Sequence, residues 1–308
     1  MRIGIIGRTR PLLLAAEALR ADGHSLTFIY TSNAETYYEC EPSEFESLAS
    51  ACSVPFFNDL CIEDHVDELQ ATDTDVCISI NWPTLLSVDF LQLFPFGILN
   101  GHPGDLPRYR GNACPNWAIL NGESSIGMTV HLMSPELDSG PIYLKEHFNL
   151  DDNTYIGDFI DWHQTIVPIM YSRIFHELEL GAMIPEPQDS NIPALRVFPR
   201  KPEDSRINWE QSCRDIHRLI RASSRPFDGC HSTTEDGMIV KIFRATIVTT
   251  GYNFSAIPGQ VCEMRNNLPL VACGDREEML QLTDFRIGDL SHTDSVRRLA
   301  RSMRGRLR

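Results

Sequence analysis

Residues 1–30 read MRIGIIGRTRPLLLAAEALRADGHSLTFIY, and their punctuation sets the architecture. Arg2 to Ile6 is a short apolar run and Gly7 turns the chain. Leu12 to Ala21 then has helical spacing, and Gly23 stops it before a second apolar run from Leu26 to Tyr30. Strand, helix and strand in this order form one βαβ unit. The strand signal returns at Asp75 to Ile80 and at Gly97 to Asn100, with helix-like segments near residues 44–52, 62–71 and 87–93. Strands alternating with helices predict an α/β fold around a doubly wound parallel sheet.

The rhythm breaks in PEPQDSNIPALRVFPRKPED, residues 185–204, where Pro185, Pro187, Pro193, Pro199 and Pro202 forbid a helix or a central strand. The expected division is therefore a first domain over 1–184, a linker over 185–204 and a second domain over 205–308. The second contains one helical segment, Glu210 to Arg221, and strand candidates at 238–248, 257–265, 268–273 and 279–286, the pattern of a small β-barrel. It ends on a basic tail with arginines at 297, 298, 301, 304, 306 and 308. A docked surface helix accounts for such a tail, and so does a contact to nucleotide phosphate or RNA.

With 308 residues, of which 42% are apolar, the chain has material for two domains. Its 42 acidic against 27 basic residues give a formal charge of -15, or about -21 once the six tail arginines are set apart. That balance repels phosphate backbones and anionic membranes, so nucleic acid and membrane partners are disfavoured. Nine cysteines include no C-x-x-C pair and sit mostly in apolar stretches, which suits reduced thiols in the cytoplasm. Gly7, Arg8, Arg10 and Pro11 interrupt the first apolar run, so the amino terminus does not read as a signal peptide.

Chemistry concentrates in ILNGHPGDLPRYRGNACPNWAILNGE, residues 98–123, and IGMTVHLMSPELDSGPI, residues 126–142. An extended Leu99 to His102 aims Asn100 and His102 to one side, while Gly101 leaves room beside them. Asp138 lies in the loop after a strand from Ile126 to Met133, shaped by Gly140-Pro141. Each residue has a plain structural reading: Asn100 capping a turn, His102 half-buried and satisfied, Asp138 forming an Asx-turn. Together they offer a donor for a carbonyl oxygen, a proton acceptor and a carboxylate that orients it, which is what acyl transfer to an amine requires. No metal is called for. The opening Gly4-Ile5-Ile6-Gly7 lacks the G-x-G-x-x-G spacing of a dinucleotide-dependent oxidoreductase.

Asn100-Gly101-His102, then Leu106-Pro107-Arg108-Tyr109-Arg110-Gly111, then Leu137-Asp138-Ser139-Gly140 resemble the signature of the folate-dependent formyltransferases, N-x-H-x-S-L-L-P-x-[Y/W]-R-G with a later L-D-[ST]-G. Arg200, Pro202, Asp204, Ser205 and Trp209 resemble the entry to that family's second domain. The resemblance covers most of the chain and implies a Rossmann-like sheet followed by a small OB-like barrel. It also implies N10-formyltetrahydrofolate as formyl donor. One departure is Gly104-Asp105-Leu106 where most members have Ser-Leu-Leu.

Carried onto this chain, the resemblance makes Asn100, His102 and Asp138 the catalytic residues. Asn100 donates to the formyl oxygen, His102 takes the amine's proton near neutral pH, and Asp138 orients it or relays the proton. The pterin is expected against Trp82, Pro83, Thr84, Leu85 and Leu86, and against Leu137 and Asp138. Acceptor contacts are expected from Arg8, Arg10, Tyr37 and Tyr38, and from Pro103, Gly104 and Asp105.

Two acceptors remain open, methionyl-tRNA and a nucleotide-linked amino sugar used for surface polysaccharide such as the O-antigen of lipopolysaccharide. Residues 33–47, NAETYYECEPSEFES, are acidic where tRNA-type relatives have a basic insertion, and Asn112 to Trp117 resemble the UDP-aminoarabinose enzyme, so the sugar is favoured. A 10-formyltetrahydrofolate hydrolase and a non-catalytic nucleic-acid-binding barrel are weaker alternatives. The sequence leaves open whether the barrel binds a ligand, forms a homodimer or only packs.

Overall fold

The computed structural model describes residues 1–35, 40–302 and 305–308. Contacts divide the chain into two units. The first holds Met1–Cys114, Ser125–Asn149 and Phe159–Phe198; the second holds Pro115–Ser124, Leu150–Asp158 and Pro199–Arg308. Tyr37, Tyr38 and Arg304 lie outside the described residues.

The first unit opens with β1 (Arg2–Gly7), α1 (Arg10–Ala21) and β2 (Ser25–Thr31), followed by α2 (Pro42–Cys52) and β3 (Phe56–Asn58). A 3-10 turn, Ile62–His65, runs into α3 (Val66–Gln70), then β4 (Val76–Ile80), α4 (Val88–Leu91) and β5 (Ile98–His102). After β6 (Arg110–Gly111) the chain forms α5 (Cys114–Leu120), which apart from Cys114 belongs to the second unit, and then β7 (Ser125–Leu132), β8 (Ile142–Asn149), α6 (Ile156–Glu179), which belongs to the first unit from Phe159 onward, and β9 (Arg196–Val197). Seven strands make one sheet in the order β3-β2-β1-β4-β5-β7-β8. The strands from β3 to β5 pair in parallel, while β7 and β8 are antiparallel additions. The doubly wound Rossmann-like sheet expected from the βαβ rhythm is therefore present, extended on one side by two strands of opposite sense.

Both faces of this sheet are covered, which is why its strands read as nearly continuous apolar runs. Ile3 and Ile5 pack with Leu12, Ala15 and Leu19 of α1, while Ile6 packs with Phe28 and Tyr30 on the other side. Gly7 has φ 141°, and a Cβ there would meet the Ile80 oxygen at 2.2 Å, so only glycine lets β1 turn so close to the end of β4. The 24-residue α6 was not anticipated, since Pro168 stands inside it. Val167, Met170, Tyr171, Ile174 and Phe175 recur on one buried face, and the Tyr171 hydroxyl donates to the backbone oxygens of Leu99 (3.0 Å) and Ser79 (3.2 Å). Burial of that face holds the helix despite the missing proline N–H.

In the second unit, Ser212 caps α7 (Cys213–Ser223) by accepting from the Asp215 N–H. Then follow β10 (Cys230–Thr233), β11 (Ile239–Thr249), β12 (Val261–Arg265), β13 (Leu268–Ala272), β14 (Glu278–Ile287) and α8 (His292–Ala300). They form an antiparallel five-stranded sheet in the order β10-β11-β14-β13-β12. Leu307 bridges to Thr234, just past β10, and Arg306 bridges to Gln260, just before β12. Residues 305–308 thus stitch the two outer strands together, and Leu307 is buried in the unit's apolar core. Among the described residues no helix is long and apolar enough to cross a membrane.

Candidate active site

Alternation along β5 decides which side chains meet. Leu99 enters the core, whereas Asn100 and His102 point to the opposite side, as the extended reading of Leu99 to His102 requires. The antiparallel register with β7 sets Asn100 opposite His131 and His102 opposite Thr129. His131 Nδ1–H donates to the Leu132 oxygen (2.9 Å), because a carbonyl only accepts; its Nε2 is then the acceptor for Asn100 Nδ2 at 3.2 Å. The amide of Asn100 is therefore aimed, with one N–H spent on His131.

Asp138 enters from the loop after β7 with φ 51°, a left-handed conformation that aspartate tolerates better than most residues. One carboxylate oxygen lies 3.6 Å from His102 Nδ1, and the other lies 3.6 Å from His131 Nε2. The Gly111 N–H donates to it at 2.8 Å, and Gln188 Nε2 holds the loop by donating to the backbone oxygens of Asp138 (2.8 Å) and Gly140 (3.0 Å). Asn100, His102 and Asp138, chosen from the sequence, thus come together around His131.

His102 is 4% exposed. Its Nε2–H donates to the Tyr109 oxygen at 2.7 Å, and the Cys114 sulfur lies 3.6 Å from the same nitrogen. Burial opposes a charge on this imidazole, but the Cys114 sulfur and the Asp138 carboxylate outweigh it and lift the pKa to about 9. Burial likewise opposes ionisation of Asp138, yet the charge on His102 and the Gly111 N–H hold its pKa down to about 2. The resting pair at neutral pH is an imidazolium facing a carboxylate, so the free imidazole anticipated near neutrality is the minor form. Gly104 makes this packing possible: a Cβ there would stand 2.4 Å from both His102 Nε2 and the Tyr109 oxygen.

The other anticipated residues divide by environment. Trp82 and Leu86 pack against the apolar cluster around Phe28, with Trp82 edge-on to Tyr30 at 5.6 Å, whereas Pro83, Thr84 and Leu85 are exposed. Leu137 is also exposed, beside Asp138. Arg8 donates to the backbone oxygens of Asn33 (2.7 Å) and Asn81 (3.1 Å) and lies 3.5 Å from Glu35; Arg10 pairs with Glu44 at 2.6 Å. Asp105 is neutralised by Lys145 at 2.8 Å, with His147 at 3.3 Å, and Pro103 is half-buried before the buried Gly104.

Several buried polar atoms at the carboxyl ends of β1, β2 and β4 have no hydrogen-bond partner among the described residues: Thr9 Oγ1, Thr31 Oγ1, Ser32 Oγ, Asn81 Nδ2 and Trp82 Nε1. Folded proteins leave few such groups, so their concentration on three adjacent loops marks a place where something polar is meant to bind. The sequence reading missed His131, Cys114 and Gln188. His131 carried a signal only to a reader who already knew that β7 pairs antiparallel with β5, and Gln188 reaches the site from the proline-rich stretch read as a linker.

Comparison with known proteins identifies the family and the fold. The family described as formyl transferase matches residues 53–161, and the one described as formyl transferase, C-terminal domain, matches residues 200–289. A methionyl-tRNA formyltransferase of Orientia tsutsugamushi is 27% identical over 292 residues, covering 93% of this chain and 92% of that one. HypX from Aquifex aeolicus has the same fold with a TM-score of 0.64 at 19% identity; the match covers 93% of this chain but 44% of HypX. The N-formyltransferase of Helicobacter canadensis, solved with folinic acid and dTDP-3-aminofucose, has a TM-score of 0.66 at 16% identity, covering 91% of this chain and 98% of that one.

Proposed function

The chain belongs to the formyl transferase family, and from that premise we propose that it moves the formyl group of N10-formyltetrahydrofolate to the amine of a nucleotide-linked amino sugar. The observation that carries the transfer chemistry is the grouping of Asn100, His102 and Asp138 on one side of β5, tied together through His131. The second N–H of Asn100 serves the formyl oxygen as attack by the amine makes it negative, and the neighbouring imidazolium adds positive charge. Overall, one proton leaves the acceptor nitrogen and one reaches N10 of the folate as it departs. The His102–Asp138 pair holds that proton in transit. The pterin lies against the exposed Leu85 and Leu137, with Trp82 and Leu86 behind.

The sugar reading is supported by charge. Glu35 and Glu44 already occupy Arg8 and Arg10, leaving that loop without a free cationic surface for a tRNA backbone. The unpartnered hydroxyl, amide and indole groups at the strand ends suit a small polar acceptor, and a neighbour in fold was solved with an amino-sugar nucleotide. On this reading the enzyme acts in the cytoplasm, in the making of a surface polysaccharide. Methionyl-tRNA is the second reading, favoured by the name of the sequence relative from Orientia tsutsugamushi. Incubation with N10-formyltetrahydrofolate and either nucleotide-linked 3-amino and 4-amino sugars or methionyl-tRNA separates the two. Turnover with a sugar is expected, and turnover with tRNA alone overturns the acceptor.

A further inference from the structure

The second unit contains a cavity of about 310 Å³ that formyl transfer does not use, at the size where small-molecule pockets begin. Its walls include Asp152, Asn153, Tyr155, Arg244, Thr246 and Ile247. The 151–155 wall is preformed: Arg221, itself 4% exposed, donates to the backbone oxygens of Asp151 (2.5 Å) and Thr154 (3.0 Å). Asp151 accepts from the Asn153 N–H and the Thr154 hydroxyl of the same turn.

The opposite wall is a strand edge. β10 pairs with β11 only as far as Ile242, so from Arg244 onward β11 has a neighbour, β14, on one side alone. The Tyr155 hydroxyl closes the first free position, donating to the Ala245 oxygen at 2.9 Å and accepting from the Ala245 N–H at 3.3 Å; His217 Nε2 donates to the same oxygen at 3.0 Å. Because Ala245 turns its N–H and C=O away from β14, the two-residue repeat of an antiparallel ladder turns those of Ile247 the same way. These two groups face the cavity side by side, a donor next to an acceptor. Beside them the exposed Arg244 guanidinium lies over the Tyr155 ring, 4.5 Å from its centroid.

We propose that this cavity is a nucleoside site: a planar base pairs its edge with the Ile247 N–H and C=O and packs against the Arg244–Tyr155 stack, while its sugar hydroxyls turn to Asp152. A base supplies the adjacent acceptor and donor that the strand edge lacks, and a flat face for guanidinium and phenol. The cavity's volume suits one nucleoside and not a folded partner. Asp152 is largely exposed; Arg214 lies 3.6 Å from one carboxylate oxygen and Arg221 3.9 Å from the other, and the lone pairs these long contacts leave can accept from vicinal hydroxyls.

Hydrogen–deuterium exchange on the full chain, with millimolar adenosine or uridine as the probe, tests this. Slowed exchange at residues 244–249 and 150–155 is expected. Arg244→Ala weakens nucleoside binding about tenfold by calorimetry, the size of one lost stacking contact. Asp152→Ala weakens ribosides more than the free bases, and neither variant changes formyl transfer. Absence of protection at 244–249, protection unaltered in Arg244→Ala, or protection by oligonucleotides alone overturns the proposal. Protection confined to residues 8–10, 31–33 and 81–84 also overturns it while supporting the acceptor site of the first unit. Protection at 244–249 in a protein inactive towards every amino sugar sustains it and removes the sugar reading instead.

Discussion

Asn100 Nδ2 donates to His131 Nε2 at 3.2 Å, so the amide proposed to serve the formyl oxygen is oriented by a histidine 31 residues further along the chain. His131 can do this only as the Nδ1–H tautomer, which the Leu132 carbonyl fixes. In His131→Ala the Asn100 amide is free to rotate. The expected outcome is a fall in kcat of roughly ten- to a hundredfold, short of the hundred- to thousandfold loss typical of deleting an oxyanion donor, as in Asn100→Ala. KM for the folate stays near its original value. Steady-state kinetics on both variants check the order of the two losses.

The His102–Asp138 pair fixes the pH behaviour. Raised to about 9 in the fold, against roughly 6.5 in an unfolded chain, the His102 imidazole stabilises the protein fully below the lower value, and that contribution is lost as pH climbs through about 9. Asp138, held at about 2, works in the other direction: its contribution is present above roughly 4 and disappears as pH falls through about 2. Formyl transfer is expected to decline above about pH 9 as the imidazolium is lost. In Asp138→Asn the His102 midpoint moves down, which NMR titration of the ring Cε1–H reads directly. An unchanged midpoint contradicts the pairing.

Gly104→Ala puts a methyl group into space that His102 Nε2 and the Tyr109 oxygen already occupy, each 2.4 Å away. Neither can yield cheaply, since they are hydrogen-bonded to one another. The variant is expected to lose about 1–3 kcal/mol of stability, as overpacked sites do. Displacement of His102 lowers formyl transfer in addition. Thermal unfolding and kcat on the same sample separate the two effects.

Much of this arrangement was legible in the chain. The βαβ rhythm of residues 1–30 produced β1, α1 and β2, and the two-residue period of β5 put Asn100 and His102 on one side. His131 was not legible, because its meaning depends on pairing between β5 and β7, which local periodicity does not encode. The pKa of His102 was not legible either. It is set by Cys114 and Asp138, 12 and 36 residues away in sequence, and by burial that only packing creates. Gln188 stood in a stretch whose prolines mark irregular backbone but say nothing of which irregular segment carries a hydrogen-bond donor to the Asp138 loop.

Removal of residues 303–308 deletes the Leu307 side chain from the core of the second unit, together with the Leu307 N–H bond to the Gly259 oxygen (2.8 Å) and the reciprocal Thr233–Arg308 bonds (2.9 and 2.8 Å). A loss of about 2–5 kcal/mol is expected, the range for emptying a buried leucine site. The urea midpoint reads it, with faster amide exchange along β10 and β12 as the local signature. An unaltered midpoint means that the stitch contributes nothing.

That stitch also bears on how the chain is made. During synthesis β10 and β12 are made before residues 305–308, so both remain bare edges until that segment docks. The second unit is therefore at its most adhesive between the pairing of strands β10 to β14 and the docking of residues 305–308, and a substitution that keeps this segment from docking leaves two hydrogen-bonding edges open to other chains.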